Sequence, residues 1–182
     1  NANEYNISTF GHIQIVELKS QFTYLCLSIP LKGLPTELKR YLVLFQELFF
    51  QTDINVEISL PDAFPLGITP YEQVVSCISQ TFISHSCSVG MDNDVFSCSY
   101  FSDYLVISGC SSSQKQHSMF ALILQILCGL SFSSQRVRTI ASNLKNDLSE
   151  LKREPEEMLD FLSTRILLLP NQSQNAPKRL KM

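Results

Sequence analysis

The chain has 182 residues, 45% of them hydrophobic and 17% charged, enough for one globular domain with a sizeable core. A formal charge of −3 at pH 7 excludes a dedicated nucleic-acid binder, which needs a clustered excess of Lys and Arg to displace counterions from phosphates. The longest apolar run, Met119 to Leu130, is interrupted by Gln125 and falls short of the roughly 20 residues that span a bilayer, so no membrane partner is expected.

In chain order, residues 1–10 are a polar lead. The chain starts at Asn1 with no initiator methionine or secretory leader, which suggests excision or processing. Residues 11–18 and 21–29 predict two strands: Ile13 and Ile15 alternate with Gln14, and FTYLCLSI is rich in aromatic and aliphatic side chains. After a connection from Pro30 to Pro35, the segment LPTELKRYLVLFQELFF predicts one long helix, capped at Thr36 with Glu37 in its first turn. Leu38, Leu42, Phe45 and Phe49 form its stripe, and Tyr41, Leu44 and Leu48 widen the apolar arc beyond what one core face needs. One side of that arc is expected to cover its own sheet, the other to meet neighbouring helices or an adjoining module.

Residues 52–68 contain Pro61, Pro65 and Gly67 and show no clear period, so they are expected to be an inserted loop. Thr69-Pro70-Tyr71-Glu72 then has the form of a capping box opening a helix to about Gln80. Three strand-like runs follow, FISHSCSVG, VFSCSYFS and DYLVISGC, with turns short enough for antiparallel neighbours. In the first, Ser84, Ser86 and Ser88 alternate with His85, Cys87 and Val89, leaving one strand face nearly bare. Three helices complete the pattern: Gln114 to Cys128 closed by Gly129, then Ser133 or Ser134 to Lys152, then Pro155 to about Leu169. The middle one carries a stripe of Val137, Ile140, Ala141, Leu144, Leu148 and Leu151, with Arg136 outside it. Residues 170–182 are a polar tail ending in Lys178, Arg179 and Lys181, the composition of a flexible segment. The whole predicts a single α+β module over residues 11–169, an antiparallel sheet of about five strands with helices on one face.

Cys26, Cys77, Cys87, Cys98, Cys110 and Cys128 are scattered through apolar segments without a pair at metal-ligand or redox spacing. They are expected to be free thiols in a reducing, intracellular setting, cytosol or mitochondrion. His12, His85 and His117 belong to no H-x-x-E-H or H-E-x-x-H run, and the single glycines form neither a phosphate loop nor a G-x-S-x-G elbow. His85 and Cys87 share a strand face, the minimum for a Cys/His nucleophile pair, but nothing nearby in sequence supplies an orienting Asp or an oxyanion hole. Asp92, Asn93 and Asp94 lack the glycine and terminal Glu of a calcium loop. Glu154, Glu156 and Glu157 suit a helix N-terminus. No catalytic, metal or cofactor-binding residue is assigned.

Leu34, Pro35, Glu37 and Leu38, then Leu44, Phe45, Glu47 and Leu48, then Tyr71, Glu72, Val74 and Gly90 carry a resemblance. Together with SFSSQRVRTIASNLKNDLSELKRE, they resemble a module of the pitrilysin or insulinase family of zinc metallopeptidases, in its presequence-protease-like branch. The likeness spans residues 12–168 in element order and rests on structural motifs. It implies one of four α+β modules arranged around a chamber that admits peptides. The absence of the inverted zinc motif implies a later, catalytically silent module, with zinc held elsewhere in the parent protein. Its partners would be the other modules and an extended peptide substrate. The alternative is a scaffold or protein-interaction module of the same fold without peptidase chemistry.

Overall fold

The computed structural model describes residues 2–7, 11–90 and 103–151, together with Arg153, Pro155 and Leu159. In chain order its elements are β1 (Ala2–Ile7), β2 (Gly11–Val16), β3 (Phe22–Pro30), α1 (Thr36–Lys39), α2 (Leu42–Leu48), β4 (Asp53–Val56) and β5 (Gly67–Thr69). They continue with α3 (Tyr71–Thr81), β6 (Ser84–Val89), β7 (Tyr104–Ser112), α4 (Gln116–Gly129), β8 (Leu130–Ser131) and α5 (Ser134–Leu151). The architecture is mixed α+β with antiparallel pairing throughout. Among the described residues the strands form no single sheet of five. They divide into a β1–β2 hairpin and two three-stranded sheets, ordered β3-β7-β6 and β5-β4-β8. The expected strand at 95–102, the helix opened by Pro155 and the 170–182 tail lie outside the described residues, Pro155 and Leu159 excepted.

The β3-β7-β6 sheet gives the fold its layer. Register places Leu25 opposite Gly109, Leu27 opposite Ile107 and Ile29 opposite Leu105, with His85, Cys87 and Val89 continuing the same rows on β6. Side chains alternate between faces, so this face is apolar and joins the core with Leu42, Phe49 and Phe50, Val74 and Ile78, and Met119, Leu122, Ile123 and Ile126. Phe49, Val74, Ile107, Met119 and Ile126 are fully enclosed, each such burial contributing about 1.5–3 kcal/mol. The opposite face carries Tyr24, Cys26 and Ser28, Val106, Ser108 and Cys110, and Ser84, Ser86 and Ser88.

At three segments the structure departs from the sequence expectation. The segment 34–50 is two helices, because Tyr41 N–H bonds back to Leu38 C=O at 2.9 Å, a three-residue closure that tightens the chain at φ −92°, ψ −3°. Beyond that break Leu42, Leu48, Phe49 and Phe50 are buried, while Leu38 and Tyr41 stay half exposed. Since Phe49 and Phe50 are both covered within the domain, neither ring is held back for an adjoining module. Residues 52–68, expected as a loop, supply β4 and the start of β5, paired Ile54 to Thr69 and Val56 to Gly67. The strands are too short for an alternating pattern to stand out. The 1–10 lead likewise contains β1.

Gly129 ends α4 but is no left-handed cap, for Leu130 begins β8 directly and pairs with Ile54. Its bare Cα serves a close approach: a Cβ there would lie 2.6 Å from the backbone oxygen of Asn55.

Candidate functional site

Three side-chain constellations among the described residues bear on function. The first is the His85–Cys87 pair on β6. The imidazole packs edge-on against Phe50, with centroids 4.7 Å apart, and lies 5.9 Å from Phe82. Phe82 fits there because Gly109, opposite His85, has no side chain: a Cβ would stand 2.8 Å from the Phe82 ring. His85 remains exposed to solvent overall, yet its partial burial lowers its pKa below the ordinary value. Burial, reinforced by the charge of Glu47, pushes the Cys87 thiol up to about 12. At pH 7 only about one such thiol in 10⁵ is a thiolate. The two residues share a face as their spacing demands, but the imidazole sits in an aromatic packing cluster and burial favours the protonated thiol, the opposite of what a Cys/His nucleophile pair needs.

The second constellation ties α3 and α5 to the β4 region. Tyr71 N–H donates to Asp53 Oδ1 at 2.9 Å, so the cap of α3 comes from β4. Thr69, expected to be the cap, is buried within β5, and the helix begins after Pro70 with no cap from its own flank. Arg136 lies over the Tyr71 ring at 4.0 Å. It donates through Nε to Gln51 C=O at 2.8 Å and through a terminal nitrogen to Gln51 Oε1 at 3.0 Å. The amphipathic stripe of α5 placed Arg136 outside, whereas its guanidinium reaches back to the chain leaving α2. Ser133 Oγ accepts from Arg136 N–H at 3.3 Å, the N-terminal role expected of it. Thr52 Oγ1 donates to Ser131 C=O at 2.8 Å.

The third is Gln125, the residue that interrupts the apolar run. It is buried; its Nε2 donates to Ile58 C=O at 2.8 Å and Phe64 C=O at 3.2 Å, and its Oε1 accepts Phe64 N–H at 2.8 Å. A single amide thus supplies the hydrogen bonds that the segment between β4 and β5 cannot make within itself. The cleft beside it, lined by Asn55, Glu57, Ile58, Gln125, Cys128 and Gly129, has a volume of about 40 Å³, a space of water size. Sequence periodicity has no means of marking this clamp, because its partners are backbone groups about 60 residues away.

Among the described residues no three His, Cys, Asp or Glu side chains converge as a metal cluster, and no helix is long and apolar enough to cross a membrane. Cys26, Cys77, Cys87, Cys110 and Cys128 are free thiols; Cys98, Asp92 to Asp94, Glu154, Glu156 and Glu157 lie outside the described residues. Ser84, Ser86 and Ser88 sit on the sheet face opposite Leu25, Leu27 and Ile107, where Ser86 Oγ and Ser108 Oγ share a hydrogen bond of 2.8 Å. The class this defines is a mixed α+β domain with antiparallel sheets. Compared with known proteins, the chain matches no family model, no curated protein and no solved structure.

Proposed function

We propose that the chain is a catalytically silent module of a pitrilysin-like zinc metallopeptidase. In this reading it shapes a peptide-admitting chamber and carries contacts to neighbouring modules, while the zinc site belongs to another part of the parent protein. The supporting observation is that two of the segments bearing the resemblance, 34–50 and 69–90, pack against one another. Phe50, which closes the first segment, meets Phe82 at 6.3 Å and His85 at 4.7 Å from the second. The side chains that could have suggested a local active site, His85 and Cys87, are instead part of that packing.

Zinc titration of the chain by calorimetry tests the silent role. The expected result is weak binding or none, because a tight site needs three or four converging ligands. A stoichiometric site of nanomolar affinity would overturn the assignment.

A further inference from the structure

Among the described residues strand β3 is an edge of its sheet, and two flanking hydrogen bonds fix which way its backbone groups point. Ser113 N–H donates to Gln21 C=O at 2.8 Å, and Leu31 N–H donates to Asp103 C=O at 2.7 Å. Since antiparallel bonding alternates, the odd-numbered residues of β3 face β7 and the even-numbered ones face outward. The outward row is Phe22, Tyr24, Cys26, Ser28 and Pro30. Phe22 N–H is already taken by Ser20 Oγ at 3.0 Å, and Pro30 has no N–H. The open donors are those of Tyr24, Cys26 and Ser28, and among the described residues no strand pairs with them.

Edge strands are commonly guarded by a charge, a bulge or an internal proline. From Phe22 to Ile29 this one carries no charged residue and no proline, and its pairing with β7 runs without a skipped residue. Phe22, Tyr24 and Cys26 are exposed alongside it.

We propose that a second copy of the chain pairs on this edge, β3 against β3 antiparallel, about a two-fold axis at Cys26. That register overlaps the whole strand, setting Tyr24 beside the second copy's Ser28 and Phe22 beside its Pro30. Each open N–H then meets an open carbonyl, and the two residues without a free N–H fall together at the rim. A bulky side chain meets a small or flat one in the outer rows, and no like charges oppose one another because the strand has none. The union is isologous, so it closes after two copies. This inference stands independently of the peptidase reading.

Sedimentation equilibrium combined with residue-resolved amide exchange tests it. The expected result is a reversible, concentration-dependent dimer in which the Tyr24, Cys26 and Ser28 amides become protected as concentration rises. Thr23, Leu25 and Leu27 amides, bonded to β7, are protected at every concentration. Cys26→Lys places two ammonium groups opposite one another at the axis and raises the dimer dissociation constant about tenfold or more. Ser28→Pro removes an outward donor and weakens the dimer while leaving the β7 bonds intact; circular dichroism checks that both variants keep the fold. The proposal is overturned by a chain that stays monomeric at its highest soluble concentration, whether or not it binds the synthetic peptide FTYLCLSIP. It is equally overturned by a dimer whose Tyr24, Cys26 and Ser28 amides exchange freely, or by folded variants that dimerise as the wild type does.

Discussion

Asp53 Oδ1 accepts the backbone N–H of Tyr71 at 2.9 Å, so helix α3 is started by a carboxylate on β4, 18 residues earlier in the chain. A helix N-terminus leaves its first N–H groups without intrahelical partners and favours negative charge, and Asp53 answers both needs. Asp53→Ala is therefore expected to cost about 1 kcal/mol, read from urea unfolding. Asp53→Asn, which keeps an acceptor and loses the charge, is expected to cost only about 0.3–0.5 kcal/mol. Glu72→Ala, which a local capping box would make costly, is expected to be nearly neutral.

Gln125 is the second expected weak point. Gln125→Leu keeps the bulk but strands the Ile58 and Phe64 carbonyls and the Phe64 N–H, for an expected loss of about 2–4 kcal/mol. The loss is expected to be local first: amide exchange over residues 58–66 accelerates before the β3-β7-β6 sheet opens. Uniform acceleration across both sheets would contradict the clamp.

Gly129 and Gly109 separate two kinds of close packing. Gly129→Ala gains about 1 kcal/mol of helix propensity but drives a methyl group to 2.6 Å from the Asn55 carbonyl oxygen, where backbone must move. A net loss of about 1–3 kcal/mol is expected. Gly109→Ala meets the Phe82 ring at 2.8 Å, a side chain that can tilt, so its loss is expected to be the smaller of the two. Thermal unfolding of both variants reads the order directly.

The pH dependence has two limbs. His85 has a folded pKa below its ordinary value of 6.5, so the unfolded chain binds the proton more readily. Its contribution to stability is complete above pH 6.5 and is lost as pH falls through the folded value. The Cys87 thiol is raised to about 12 from 9.0, so its contribution is complete below pH 9.0 and declines as pH rises toward about 12. His85→Gln is expected to flatten the acid limb and Cys87→Ala the alkaline one. At neutral pH iodoacetamide is expected to label exposed Cys26 and Cys128 well before Cys87.

The sequence showed most of the large elements. Strong period and punctuation marked β3, α3, β6, β7, α4 and α5; of the α5 stripe Ile140 is buried and Val137 and Leu144 are partly so, while Ala141 is exposed. What it hid was decided at long range. The break at Tyr41 depends on how Leu42 and Phe49 turn toward the sheet, and β4 and β5 exist because each has a partner, not because three or four residues have a period. The polar constellations were hidden for the same reason: Asp53 and Tyr71, Gln51 and Arg136, and Gln125 and Phe64 lie far apart in sequence and meet through backbone groups. His85 and Cys87 were legible as neighbours on one face, while the rings of Phe50 and Phe82 around His85 and the burial that raises the Cys87 thiol were not.

The proposed silent role in a zinc peptidase is tested most directly in the intact parent protein, by hydrolysis of an unstructured peptide before and after zinc chelation. Zinc-dependent cleavage is expected that is abolished by replacing the first histidine of an H-x-x-E-H motif outside residues 1–182, and that survives His85→Gln and Cys87→Ala. A parent protein with no such motif, or cleavage that persists without zinc and fails when Cys87 is replaced, would contradict it.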